Sequence, residues 1–282
     1  MNHRKTNVTV FIEVFNEEHR IEACLKSFSW ADQIFVFDKN SSDKTRQIAE
    51  RYATVVTVPF CEASENIVNN ISNHGDTEWC LIPTASSLMH PRLADEIIKL
   101  TSNPDFEYDV IGMPYGMHSL GINNRRSPFY AEHKFTLIRR TALVLSTKLH
   151  HEISFNSKRI FKMPWIDSEA LLYHCTHPTQ ESFMIQTARY AKYEARNDLS
   201  LTKKRAFYDL LKALAVIVLK RKAFLLGWTG TAVSLNYLIY FAARFVFVWE
   251  RDRPNNDLIY PQLRDNISKL WDEKIRTEHD RK

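Results

Sequence analysis

Phe35-Val36-Phe37-Asp38-Lys39-Asn40-Ser41-Ser42-Asp43-Lys44-Thr45 is an apolar run that delivers an acid into a polar turn, and the turn opens a helical pattern. In an open α/β sheet the ligand crevice lies beyond the carboxyl ends of the strands. An acid at such a tip can accept hydrogen bonds from a base or a ribose. A helix cap at Ser42 or Asp43 would account for the turn residues alone. It would not account for Asp38, nor for a second strand and polar turn just upstream, Val8 to Asn16. The intervening segment carries Ile21, Cys24, Leu25 and Phe28 on one helical face, so a helix joins the two strands and their polar turns.

Further along, apolar strand candidates alternate with helical patterns: Val8 to Phe15, Gln33 to Phe37, Val55 to Phe60 and Trp79 to Ile82. A helix from about Asp43 to Ala53 turns Ile48, Ala49 and Tyr52 inward, and another starts at Pro91, a residue favoured in the first turn. Such alternation predicts an α/β fold with a doubly wound, mainly parallel sheet and right-handed crossovers. Strands near Asp109 to Tyr115 and His133 to Arg139 complete it.

A chain of 282 residues with 44% apolar and 25% charged residues can bury one substantial core plus an appendage. It has 6 glycines and neither a Gly-x-Gly-x-x-Gly nor a Walker loop, which argues against dinucleotide oxidoreductases and P-loop enzymes. Aromatic and basic residues do not interleave as in RNA-binding modules, so nucleic acid is not an expected partner. Cys24, Cys61, Cys80 and Cys175 form no CxxC pair and read as reduced thiols, three of them in apolar settings. The amino-terminal apolar run is broken by Glu13 and is too short for a signal peptide, so cytoplasmic function is expected.

The two turns, Phe15-Asn16-Glu17-Glu18 and Asp38 to Thr45, resemble the opening of the family 2 nucleotide-sugar glycosyltransferases, GT-A enzymes. The similarity is greatest to the branch acting on lipopolysaccharide core and other surface glycans. The resemblance implies a nucleotide-sugar donor bound by Phe15, Asn16, Glu17, Asp38 and Asn40, and transfer with inversion. The chain departs from the family at Trp79-Cys80-Leu81-Ile82-Pro83-Thr84-Ala85-Ser86-Ser87. There the family's tryptophan-led strand ends in an Asp-Ala-Asp-Glu motif whose carboxylates hold a divalent cation. Hydroxyls supply no charge to compensate Mg²⁺ or Mn²⁺, so no metal cofactor is expected. Thr84 and Ser86 can instead donate hydrogen bonds to phosphate oxygens, or merely cap the turn before Pro91.

Without a metal, a departing nucleoside diphosphate needs cations or oriented dipoles. Arg125 and Arg126 are the main candidates, with Lys134 and Arg139-Arg140 beside them; Thr136 stands where the family carries an arginine. Leu149-His150-His151-Glu152-Ile153 matches the family's His-Glu pair, which implies Glu152 as the base that deprotonates the acceptor hydroxyl and His151 as its orienting partner. His174 and His177 follow an apolar strand, Ala170 to Tyr173, and lack the helical spacing of zinc hydrolase motifs. The resemblance continues through a helix, Ser182 to Arg196.

From residue 201 the character changes. Phe207 to Leu219 is helical and apolar, Lys203-Lys204-Arg205 and Lys220-Arg221-Lys222 bracket it, and Ala223 to Ala243 runs uncharged for 21 residues. The length would just span a bilayer. Polar residues and two glycines dilute it, and the basic flanks suit a helix lying on an anionic inner-membrane surface. A short helix is expected from about Pro261 to Thr277. The expected organisation is therefore a GT-A-like transferase domain over 1–200 and a helical, membrane-associating region over 201–282, the acceptor being a lipopolysaccharide, lipid-linked or other surface glycan. The rival is a catalytically silent relative that binds glycan or a partner enzyme at the membrane.

Overall fold

The structure, a computed structural model, describes residues 6–61, 67, 70–145, 153–253 and 258–279. Strands β1 (Val8–Val14), β2 (Gln33–Asp38), β3 (Thr54–Thr57) and β4 (Trp79–Leu81) lie parallel in the order β3-β2-β1-β4. β1 is covered on both faces, the usual state of a central parallel strand, with Val8, Val10, Ile12 and Val14 on one and Phe11 between Thr9 and Glu13 on the other. On one face, helix α1 (Ile21–Ser27) packs Cys24 and Leu25 against Val8, Val10, Ile12 and Val14. On the other, Phe11 and Phe37 stack with ring centres 6.2 Å apart, over Ile71, Cys80 and Ile82.

The second half of the sheet is mixed. β5 (Ser87–Met89), β6 (Val110–Ser119), β7 (His133–Arg139) and β11 (Leu172–Thr176) continue it as β4-β7-β6-β11-β5, with β10 (Ile160–Lys162) beside the start of β6. β7 runs antiparallel to both β4 and β6, whereas β11 is parallel to β6. β8 (Leu143–Leu145) and β9 (Ile153–Phe155) form a separate antiparallel pair. The fold is GT-A-like α/β with a mostly parallel sheet, as expected.

Three local expectations need correction. Helix α2 (Thr45–Ala49) ends before Ala53, yet Ala49 is buried and Ile48 and Tyr52 still pack on the core. The strand expected at Ala170 to Tyr173 lies at Leu172–Thr176, because pairing with β6 and β5 carries the ladder through polar His174. Only Cys24 and Cys80 are buried; Cys61 is half-buried and Cys175 exposed. Burial pushes the Cys24 thiol up to about 12 and Cys80 to about 11, which leaves both inert.

Helix α3 (Pro91–Thr101) starts at Pro91, with the His90 ring accepting from the Arg92 amide. After β11 the chain is helical. α4 (Gln180–Asn197) begins in a capping box made by Thr179 and Ser182. α5 (Lys203–Ala215) widens into a looser turn at Val216–Arg221, Lys222 takes a left-handed conformation, and a tight turn at Ala223–Leu226 leads into α6 (Gly227–Arg251). The uncharged segment from Ala223 is thus bent at its start. Gly230 is required there, because a Cβ would lie 1.8 Å from the Ala223 carbonyl oxygen. α4 and α5 both pack on α6, and Arg244 ties the three together through Glu194 and Asp209. By length and composition the helical stretch Ala223–Arg251 could cross a membrane; 22% of its most apolar window is buried. α7 (Ile259–His279) is exposed along its described length.

Candidate active site

The two turns that opened the sequence argument are stapled together. Asn16 and Asn40 adopt left-handed conformations (φ 55° and 64°), which asparagine tolerates better than most residues. The Asn16 side chain accepts from the Ser42 amide at 2.8 Å, and the Asn16 amide donates to Ser41 Oγ at 2.9 Å. The Glu17 amide donates to Thr45 Oγ1, the Glu18 amide to Asp43, and the Lys44 amide to the Glu18 carboxylate. Asp43 also accepts from the Thr45 amide, so it holds the turn rather than simply starting a helix.

Asp38 is 1% exposed at the end of β2. Its Oδ1 accepts from Ser41 Oγ at 2.6 Å and from the Ser41 amide at 3.2 Å; among the described residues Oδ2 has no hydrogen bond. Beside it lies a cleft of about 590 Å³ lined by Phe15, Lys39, Asn40, Thr57, Val58, Pro59 and Phe60. The cleft sits beyond the carboxyl ends of β1, β2 and β3, where open α/β sheets bind ligands. Phe15 and Phe60 meet edge to face, ring centres 4.8 Å apart, at its exposed rim. At the floor Lys39 forms a buried ion pair with Glu13 at 2.9 Å and donates to the Cys61 carbonyl. Phe60 escaped the sequence reading because it looked like the end of a strand; Lys39 and Glu13 escaped because nothing in their spacing reveals a buried pair. Glu17 is held by Arg20, with Arg20 Nη2 donating to Oε1 at 2.7 Å.

A second cluster forms where β4, β5, β7 and β11 end together. Thr84 Oγ1 lies 2.9 Å from Ser86 Oγ and 3.2 Å from Ser87 Oγ, and the His174 Nδ1 lies 3.2 Å from Thr84 Oγ1 and 3.4 Å from Ser86 Oγ. Thr84 is exposed, while Ser86 and Ser87 are buried. Burial, reinforced by the charges of Lys134, Arg20 and His177, pulls the His174 pKa down from 6.5 to about 4, so the ring is neutral at pH 7. His177 is lowered in the same direction, chiefly by burial.

The other sequence candidates are placed differently. Arg125 and Arg126 are exposed in a turn tethered from the helical region, where Arg221 donates to the Arg125 and Tyr130 carbonyls. Among the described residues, no contact joins them to Thr84 or Ser86. Arg139 and Arg140 are not available for a leaving group. Arg139 pairs with Glu78 and donates to the Phe106 and Tyr108 carbonyls, and Arg140 donates to those of Ile71, His74 and Thr77. They close the opposite end of β7. His151 and Glu152 lie outside the described residues.

Residues 9–146 match the family model described as glycosyl transferase family 2. No curated protein sequence matches the chain. Among solved structures, it is similar to the mannosyltransferase PcManGT from Pyrobaculum calidifontis, in complex with GDP-Man and Mn²⁺. The identity is 15%, with 88% of each chain covered and a TM-score of 0.51. It also resembles the Mycobacterium tuberculosis glucosyl-3-phosphoglycerate synthase with Mn²⁺ and UDP, at 16% identity, 67% of this chain and 79% of the other, TM-score 0.45. S. aureus TarS is similar at 17% identity over 76% of this chain and 43% of its own, TM-score 0.43. Among the described residues, the strand tip offers no carboxylate to a divalent ion, only neutral hydroxyls bonded to one another, with Lys134 and Arg20 close enough to depress His174. With its two interlocked turns and their cleft at the strand tips, the chain carries a family 2 glycosyltransferase domain over residues 9–146 and is a glycosyltransferase on a GT-A-like scaffold.

Proposed function

We propose that the enzyme moves a sugar from a nucleotide donor to a lipopolysaccharide, lipid-linked or other surface-glycan acceptor at the inner face of the cell membrane, without a divalent metal. The observation that carries the donor half is the cleft between Phe15, Asn40 and Phe60, open at the carboxyl ends of parallel strands and framed by the stapled turns. A base slides against the two aromatic rims, and Asp38, at the tip of β2 with its Oδ1 keeping Ser41 in place, meets the nucleoside. Asn16 and Glu17 hold the wall of that site. Thr84 and Ser86 line the diphosphate, and Arg125 and Arg126 are the charge candidates that would have to reach it from their exposed turn. Glu152 removes the acceptor proton as the acceptor oxygen attacks the anomeric carbon, and His151 orients it.

The acceptor half is supported by the helical part, 201–282 in this division, with 1–200 as the transferase domain. Trp228 is 88% exposed, and Phe224 and Leu225 are 58% and 57% exposed, beside Lys220 and Lys222. Exposed apolar side chains flanked by basic ones suit an anionic lipid surface, and a lipid-borne acceptor would meet the enzyme there. The test is release of nucleoside diphosphate from a panel of nucleotide sugars in the presence of membrane acceptor. Glu152→Gln should slow release by about 100-fold or more while leaving donor affinity unchanged. Equal rates for the two proteins would remove Glu152 as the base.

A further inference from the structure

Among the described residues, the strand-tip cluster contains a charge without a counter-charge. Lys134 sits near the start of β7, which runs antiparallel to β4 with Leu81 opposite Leu137 and the Ile82 amide donating to the Thr136 carbonyl. Continued by that register, the polypeptide after β4 brings Thr84 alongside Lys134. From the other side β11 brings His174, paired with Ser87 of β5. The Lys134 ammonium lies 5.9 Å from the centre of the buried Tyr115 ring, and that ring lies 6.1 Å from His174. Lys134 has no carboxylate within ion-pair distance among the described residues. Arg20, whose field also reaches His174, is already held by Glu17.

Resting on the donor reading above, we infer that Lys134, together with the Thr84 and Ser86 hydroxyls and His174, forms a cation-free diphosphate site in which the lysine ammonium supplies the charge that a bound metal would otherwise provide.

The chemistry of the cluster is that of an anion site. Lys134 is open to solvent, yet protein surrounds its ammonium closely enough that desolvation lowers its pKa below the ordinary lysine value. A cation so placed is stabilised by an anion far more than one on a flat surface, since the attraction acts across a poorly screened medium. His174 Nδ1 lies within hydrogen-bond reach of both hydroxyls, and in the tautomer that accepts there the ring keeps an Nε2–H that has no partner among the described residues. As the sugar–oxygen bond breaks, the electron pair and added negative charge go to the terminal phosphate of the leaving nucleoside diphosphate. Lys134 stabilises that charge by Coulomb attraction and hydrogen bonding, and the net proton lost from the acceptor hydroxyl goes to the base.

The experiment is calorimetric titration of the full chain in EDTA at constant ionic strength, using uridine, guanosine, UDP, GDP and inorganic pyrophosphate as probes, for wild type, Lys134→Met and Lys134→Arg. The expected result has three parts. Wild type binds one diphosphate at least 10-fold tighter than its nucleoside, K134M loses that increment together with pyrophosphate binding while nucleoside affinity stays within about twofold, and K134R keeps most of it. Circular dichroism melting shows whether K134M is folded; if it is not, K134R and K134Q carry the comparison. The inference is overturned if K134M and wild type bind the diphosphate equally, or if wild type requires added Mn²⁺ to distinguish diphosphate from nucleoside. Binding of no nucleoside and no nucleotide by wild type would remove the donor reading itself, and this site with it.

Discussion

Acidification should weaken this protein through His174 in a way that a single substitution can isolate. In the folded state burial and the neighbouring cations hold the imidazole at about 4, against 6.5 for a free histidine. Between those values the unfolded chain carries a proton at this position that the folded chain does not. Stability that is complete above pH 6.5 is therefore lost as pH falls toward 4. One proton taken up only by the unfolded state changes stability by about 1.4 kcal/mol per pH unit, so the window carries about 3 kcal/mol, reduced to about 2 kcal/mol by screening at a half-buried ring. Urea unfolding of wild type and His174→Gln at several pH values from 7 to 4.5 reads this directly, because all other titrating groups are shared. Wild type should lose about 2 kcal/mol more than H174Q over that range. Parallel stability curves would refute the argument that the ring is kept neutral by its surroundings.

Phe60→Ala removes one aromatic rim of the cleft and should weaken UDP or GDP binding by about 5- to 150-fold, the loss of about 1–3 kcal/mol of stacking, in a calorimetric titration. Asn16→Ala forfeits the bond to the Ser42 amide and leaves φ 55° to a residue that tolerates the left-handed region less well than asparagine, so it should lower unfolding free energy by about 1–3 kcal/mol, with Asn16→Gly recovering the backbone part. Trp228→Ser combined with Lys220→Glu and Lys222→Glu should abolish sedimentation with phosphatidylserine-containing vesicles while leaving the thermal midpoint within a few degrees. Retained vesicle binding would disconnect this face from the membrane.

The βαβ start of the fold was legible because its signals are local. An apolar run, an acid and a polar turn lie within a few residues, and Pro91 marks a helix start by its own ring geometry. The site was legible only in part. Phe15, Asn40, Thr84 and Ser86 end up at the strand tips, as the turns implied. That Asp38 spends one oxygen on Ser41, and that Glu13 and Lys39 neutralise each other under the cleft, depends on side-chain directions that spacing does not encode. The arginines show the same limit. Arg139 and Arg140 looked like anion binders by charge, but carbonyls from remote segments claim them. Lys134 was one cation among several until β4, β7 and β11 came together. The uncharged run from Ala223 does not form one helix from its first residue, because Lys222 takes a left-handed conformation and the chain turns tightly at Ala223–Leu226, close against Gly230.

The central claim is that protein charges, not a metal ion, meet the donor's diphosphate. It is tested most directly by turnover of metal-stripped enzyme with its responsive nucleotide sugar and acceptor in excess EDTA, followed by titration with Mn²⁺. The account predicts a release rate in EDTA within about twofold of the rate in Mn²⁺, and a loss of at least 10-fold in Lys134→Met that added Mn²⁺ does not repair. A rate that vanishes in EDTA and returns in proportion to Mn²⁺ would contradict it.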